Sequence, residues 1–448
     1  MRPDRLRAIQ FCAAAICGAA AWLGVGVAAQ SQRAAAPAST PTFSRDVAPI
    51  FYDKCVGCHR PGEVAPMSLI TYKDVRPWAS AIREKVTTRV MPPWHADRQY
   101  GTFRNDLSLT QREIDTIAAW ASSGAGEGNP SDLPALPTFP VGWQIGTPDQ
   151  VFEMQADYQV PASGEIEYQY FEVPTNFTED KWMQAGEVRA GDKAHVHHII
   201  VYVREPKPSN RPNVMSVRPI LPTGQAPTPP PARPPGTTRS SAPGGGDAML
   251  VNWAVGEDAP VYLPGTAKRV PAGSTLIFQV HYTTNGKPGV DRSRIGLIFA
   301  KEPPRQEIRT GIIANPLFAI PAGAAHHQIE AEATFSEDVR IWTMHPHMHL
   351  RGKDMTYTAV YPDGRSQIVL NVPKFDFGWQ TDYWLAEPLT LPKGSKLHVR
   401  AHFDNSAANR SNPDPTQVVR WGDQTWEEMM IGFFTYTVEG QTLQRSSR

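Results

Sequence analysis

Cysteine is nearly absent from this chain. Four occur in 448 residues: Cys12 and Cys17 in an N-terminal apolar stretch, and Cys55 and Cys58 in one CxxCH. No thiol is left over for a structural disulfide, so packing, with any bound metal, has to hold the fold. A second cysteine pair is missing, which argues against a cysteine zinc site, and no βαβ pattern surrounds the CxxC as a thioredoxin-like pair would require. Net charge is absent too. The 44 Lys and Arg balance 44 Asp and Glu, so nothing points to nucleic acid as a partner. Long apolar runs are missing but for one of about 17 residues, short for a membrane span. What the chain has in plenty is Pro (43) and Gly (34), which favour turns and β structure over helix bundles. Its length predicts two to four domains.

The apolar run lies in residues 1–29, behind Arg2, Arg5 and Arg7 and ahead of Val27-Ala28-Ala29. That is the order of a cleaved secretory signal. A membrane anchor is the competing reading, and lipidation at Cys17 is disfavoured by bulky Ile16. Export predicts a periplasmic or secreted protein with no stable membrane span once the signal is removed. Residues 30–42 read as a linker.

Residues 43–130 are expected to be small and mostly helical. Ser44 or Asp46 can cap a helix whose Val47, Ile50 and Phe51 share a face. It runs into Cys55-Val56-Gly57-Cys58-His59, the pattern of c-type haem attachment, with His59 placed to bind iron. Met91, in a proline-fixed loop, is the expected sixth ligand, with Met67 and His95 as competitors. Thr110-Gln111-Arg112-Glu113 is a capping box ahead of Ile114, Ile117, Ala118 and Ala121, and Gly124 ends that helix. On these residues, Cys55 to Gly124 resembles a small class I cytochrome c, which implies a terminal helix packed on the N-terminal one.

After a linker at 131–144 the pattern becomes short alternating segments bounded by Gly and Pro, as in an all-β sandwich. One β unit is expected at 145–290, carrying a Pro-rich insertion at 205–247 read as a mobile surface loop. A second is expected at 291–440, followed by a tail at 441–448.

Histidine is scarce (13 residues), yet seven of the 13 fall in three β-like stretches. These are Ala194-His195-Val196-His197-His198, Gln279-Val280-His281-Tyr282, and Met344-His345-Pro346-His347-Met348-His349. Neutral imidazole suits Cu, Zn, Fe and Ni. A lone strand histidine is usually a surface or hydrogen-bonded residue; three clusters weigh against that. Successive side chains on a strand point to opposite faces, so His197 and His198 can share a metal only where the strand bends, bulges or lies at an edge. His345, His347 and His349 share one face, and any two of them could chelate.

These segments resemble the type II copper, ascorbate-dependent monooxygenase family, which includes peptidylglycine α-hydroxylating monooxygenase and dopamine β-monooxygenase. Val196-His197-His198-Ile199 is similar to that family's VHHM, Leu276 to Tyr282 to its LQVHY, His347 to Lys353 to its HTHLTGR, and Glu427-Glu428-Met429 to its EEMC. The resemblance implies a first copper at His197, His198 and His281 that relays electrons, and a second at His347, His349 and Met429 where oxygen is activated. Taken with the cytochrome resemblance it implies a multidomain fold: a small all-α cytochrome c domain followed by two all-β jelly-roll sandwich domains. It implies two copper ions and one covalently attached haem, held by Cys55, Cys58, His59 and Met91. The implied activity is hydroxylation of a C–H bond of a small organic substrate, R–H + O2 + 2e− + 2H+ → R–OH + H2O. A periplasmic donor or small reductant would feed the haem.

The chain departs from the family in three ways. It lacks the family's disulfides. The peptide-amidating members have an Arg two residues before the HxH pair, where His345 stands here. They also have an Asn and a Tyr after the ligand Met, where Ile431 and Phe433 stand. A glycine-extended peptide is therefore not the expected substrate, and a more apolar one is. His195 is read as supporting or inert and His345 is left open. His326, His327, His398 and His402 are read first as surface or packing residues, although His398 and His402 share one face of a strand, which leaves a metal site there as the alternative. The alternative functions are a non-hydroxylating haem–copper redox protein and an electron-transfer or copper-binding module.

Overall fold

Alternation of buried and exposed side chains is clearest along His327–Phe335. Ile329, Ala331, Ala333 and Phe335 point inward there, while Gln328, Glu330 and Glu332 point out. Ile431–Val438 is instead buried at all of its positions, the pattern of a strand covered on both faces. The computed structural model describes residues 40–140, 142–207, 211–221, 227–228, 248–254, 256–441 and 443. The expected signal, most of the Pro-rich insertion and most of the tail lie outside them.

Two four-stranded antiparallel sheets carry the histidine stretches. The first is ordered Gln169–Pro174, Thr275–Tyr282, Val196–Arg204, Ala248–Ala254. The second is ordered Arg309–Ala314, Ile431–Val438, Val339–His347, Tyr383–Leu391. Ile200 and Met249 of the first pack with Ile431 and Phe433 of the second, so an apolar contact joins the two sheets beside the histidines. Behind the first sheet lies a core with Ile199, Val201, Leu276, Phe278, Ile295 and Leu297. Behind the second lies one with Ile341, Tyr357, Val399, Phe403 and Phe434.

The expected fold class does not hold. The protein is mostly β, with many small sheets in a propeller-like arrangement and no separate all-α cytochrome domain before two sandwiches. Strand pairing shows why. Arg294–Phe299, expected in the second β unit, pairs with Lys181–Arg189 of the first. Met215–Ile220, inside the segment read as a loop, is a strand paired with His327–Phe335 of the second. The helices Ala48–Lys54, Ala79–Thr87 and Gln111–Ser122 do share a core of Phe43, Phe51, Ile82, Ile114, Ile117 and Trp120. The Thr110/Glu113 capping box is present, and Gly124 ends that helix at φ 98°. The connection between the second and third of these helices, however, is hydrogen-bonded into the β structure. Asp97 N donates to Asn371 O at 2.8 Å, Arg104 N to Trp384 O at 2.9 Å, and Ala386 N to Thr102 O at 2.8 Å. Trp94 and Phe103 pack edge-on to Tyr383. The helices are therefore part of the one compact unit that runs from Pro41. Among the described residues no helix is long and apolar enough to cross a membrane.

Trp120 is fully buried between the helices, and its indole N–H donates to Gly126 O at 3.0 Å. Trp120→Ala is expected to destabilise the protein by about 3–5 kcal/mol, through lost burial and the cavity left behind. Denaturant unfolding followed by far-UV circular dichroism checks it; an unchanged midpoint would show that the helices do not depend on this packing.

Candidate metal centre

His197 and His198 lie side by side on the Val196–Arg204 strand, and a register shift against Thr275–Tyr282 falls between Val196 and His198. This is the irregularity that two neighbouring imidazoles need to face one point. His198 is paired across the ladder with His281. One donor atom from each of the three lies within 4.8 Å of the others. His197 Nδ1 and His198 Nδ1 face each other at 3.0 Å, and His281 Nδ1 is buried without a hydrogen-bond partner. Three imidazole nitrogens that converge in this way form a donor set that could hold a cation.

His347 ends the Val339–His347 strand and His349 follows it, their ring centroids 5.3 Å apart. His347 Nδ1 is held by Gln380 Oε1 at 2.6 Å and His349 Nδ1 by Glu427 O at 3.2 Å. His349 Nε2 is buried without a partner. Fixing one imidazole nitrogen on oxygen and leaving the other free is how a protein orients a metal ligand. Met429 is tied in through the buried Glu428. Its Oε2 accepts from His349 N (2.9 Å) and Met429 N (3.3 Å), and its Oε1 accepts from Arg351 N (2.6 Å). Burial pushes the Glu428 carboxyl up to about 8, although those amides and Arg351 favour its charge. Arg351 is itself buried, donating to Asn405 Oδ1 at 2.9 Å and Trp426 O at 2.9 Å.

Two aromatic rings touch both clusters. Tyr168 meets His281 at 5.0 Å, His198 at 5.7 Å and His349 at 6.5 Å. Phe377 stacks on His197 at 5.3 Å and lies 6.1 Å from His349. Burial first, then neighbouring imidazoles, hold these histidines neutral. His281 is lowered to about 3, and His347, beside His345, to about 4. His198 is lowered well below the usual value by burial and then by His281, His197, His347 and His349. Neutral imidazole is the form that binds metal.

At the CxxCH, Cys58 N and His59 N both donate to Cys55 O, at 3.2 and 2.9 Å. His59 Nδ1 is 3.2 Å from Met67 O, which leaves Nε2 free. No disulfide joins Cys55 and Cys58, and burial pushes the Cys55 thiol up to about 12. Met67 packs with Cys55 on the helical core. Met91 follows the Ala79–Thr87 helix, its amide donating to Lys85 O at 3.2 Å. His95 Nδ1 is buried without a partner, beside Trp94 on the β core. A Cβ placed on Gly256 would lie 3.6 Å from Cys58 Sγ and 3.4 Å from Trp379. The motif thus borders the segment that carries Phe377.

The remaining histidines separate by their partners. His195 has Nδ1 on Asp192 Oδ2 (2.6 Å) and Nε2 on Lys287 O (3.0 Å), so both nitrogens are occupied. His402 bonds Asp354 at 2.6 Å and stacks on His326 at 3.9 Å. Sequence reasoning missed Tyr168, Phe377, Gln380 and the roles of Glu428 and Arg351. The last two adjoin predicted ligand segments and were within reach; the others come from distant segments that carry no motif.

No protein-family model matches the chain, and no curated protein matches it. Solved structures resemble it only faintly. A structure of infectious bursal disease virus is 10% identical over 65% of this chain and 71% of that one, at a TM-score of 0.18. Xanthan lyase of Paenibacillus is 10% identical over 69% of this chain and 29% of that one, at 0.15. Oxalate decarboxylase of Bacillus subtilis is 8% identical over 70% and 87%, at 0.12. Likenesses this slight carry no argument about fold or function.

Because the unfolded chain takes up protons near pH 6.5 where the buried imidazoles do not, their contribution to stability is complete above that pH. It falls as pH drops toward about 3 for His281 and about 4 for His347. Metal-free protein is expected to lose about 1.4 kcal/mol per pH unit for each such group in this window. His281→Ala should flatten the profile, read as melting temperature against pH; an equal slope in the variant would contradict the assignment.

Proposed function

We propose that this chain is a copper-dependent monooxygenase, periplasmic or secreted, that hydroxylates a C–H bond of a small, apolar organic substrate with O2. The observation that carries the reading is the pair of buried imidazole clusters with orphaned nitrogens, His281 Nδ1 in one and His349 Nε2 in the other, bridged by Tyr168 and Phe377. Bound copper would supply oxygen activation and electron relay, and a haem on Cys55 and Cys58 would supply electrons, in the balanced reaction R–H + O2 + 2e− + 2H+ → R–OH + H2O.

His197, His198 and His281 hold the relay copper in this reading, and three neutral imidazoles suit a metal that alternates between two charges. His347, His349 and Met429 hold the oxygen-site copper, where a thioether favours the reduced ion. Gln380 and the Glu427 carbonyl keep His347 and His349 aimed, and Glu428 ties the Met429 backbone to His349. Phe433, 6.0 Å from His347, gives the site an apolar side, which favours an apolar substrate. His59, with Met91, would hold the haem iron in this reading. Cys58 and Trp379 both border Gly256, and Trp379 is two residues from the Phe377 ring on His197, which supports delivery of electrons from haem to the relay site. A periplasmic carrier or small reductant would reduce the haem. This reading keeps the ligand segments of the copper monooxygenase resemblance without its fold class.

Metal analysis of exported, haem-loaded protein tests it. About two coppers per haem are expected, with loss of oxygen reactivity in Met429→Ala. One copper, none, or zinc in its place would overturn the reading. Gln380→Ala is expected to weaken copper binding at the oxygen site about 10- to 100-fold by releasing the His347 ring, measured by competition with a copper chelator.

A further inference from the structure

Glu257, His345 and Asp382 form a cluster that neither histidine centre uses. His345 stands on the Val339–His347 strand and is buried, at 3% exposure. Asp382 directly precedes the Tyr383–Leu391 strand. Glu257 follows the Ala248–Ala254 strand, where its amide closes a turn onto Ala254 O at 3.1 Å. One donor atom from each of the three lies within 4.8 Å of the others.

The Glu257 carboxylate is fixed in place. Its Oε1 accepts from Asp382 N at 2.7 Å, and its Oε2 from Asn252 Nδ2 at 3.1 Å and Ala254 N at 3.2 Å. His345 Nδ1 is 3.2 Å from Asp382 Oδ1 but out of hydrogen-bond alignment, and it is buried without a partner. Burial, and then the Asp382 charge, push the Glu257 carboxyl well above its usual range. Two carboxylates this close need a proton or a cation between them. Lys268 does not serve: its Nζ is committed to Met249 O, Leu250 O and Thr310 Oγ1 at 3.0, 2.9 and 3.1 Å. A cavity of about 20 Å³, lined by His345, Asp382, Lys268 and Tyr262 among others, lies beside the cluster. That is room for one water.

We infer that Glu257, His345 and Asp382 form a further metal site, for a divalent first-row cation such as manganese or zinc. Two carboxylates and one imidazole, with no sulfur, suit these ions and not reduced copper. The inference does not rest on the copper reading.

The test uses metal-free, full-length protein titrated with Mn(II), with free manganese followed by electron paramagnetic resonance. Native protein is expected to bind one more manganese than Asp382→Asn. His197→Ala/His281→Ala, which dismantles the first histidine cluster, should match the native protein, so failure of the copper reading and failure of this one are distinguishable. Equal binding by native protein and Asp382→Asn overturns the inference. So does loss of the same manganese in the histidine variant. If circular dichroism shows Asp382→Asn to be unfolded, His345→Asn takes its place with the same two outcomes.

Discussion

The antiparallel pairing of Val196–Arg204 with Thr275–Tyr282, shifted in register just before His198, is the constraint on which the first histidine centre depends. A regular ladder would send His197 and His198 to opposite faces. The shift lets both meet His281, which arrives from a strand about eighty residues later along the chain and is set by the ladder opposite His198. Burial then keeps the imidazoles uncharged: His198 and His281 are buried, and at half-buried His197 the loss of solvent outweighs the nearby Asp376 charge. The cores behind the sheets, and the contact of Ile200 and Met249 with Ile431 and Phe433, hold the second sheet against the first. This is why the described residues, which hold no disulfide, can keep two histidine clusters within reach of the same two aromatic rings.

The second centre depends on a different device. His349 and Met429 lie in loop segments, which hydrogen bonds must position because no ladder does. Glu428 does this by accepting three backbone amides, one from each of His349, Arg351 and Met429. Arg351 is held in turn by Asn405 and the Trp426 carbonyl. Removing this side chain would leave three buried amides without their acceptor. The network therefore serves geometry at the site more than net stability.

Local features were legible in the sequence where they depend on neighbours along the chain. The Thr110/Glu113 capping box, the helix stop at Gly124 and the strands around His197, His281 and His347 are of this kind. A capping box is satisfied within four residues, and a strand declares itself by alternation. The fold class was not legible in this way. Met215–Ile220 sits in a Pro-rich stretch and reads as loop, yet it finds a partner in His327–Phe335. Arg294–Phe299 follows an apparent boundary and pairs backward across it. Met215–Ile220 is an edge strand and Arg294–Phe299 lies between Gln150–Glu153 and Lys181–Arg189; both pairings are decided by backbone hydrogen bonds, which leave no mark on the side-chain pattern. The same holds for the segment that carries Trp94, Phe103 and Arg104, whose bonds to Asn371, Trp384 and Ala386 merge the helices with the β structure.

For the candidate site, the donor residues were present in the sequence as types and spacings, because imidazole, thioether and CxxCH are uncommon and conspicuous. Which of them converge was decided in three dimensions. His195 looks equivalent to its neighbours, but Asp192 and Lys287 occupy both its nitrogens. His345 shares a face with His347, but Asp382 and Glu257 draw it into a different cluster. Tyr168, Phe377 and Gln380 carry no motif and became visible only through contact. Side-chain identity and short spacing set the chemistry available to this protein, and both are read directly along the chain. Which groups share a site follows from long-range strand pairing, from burial that strips water from the nitrogens, and from which partner reaches each one.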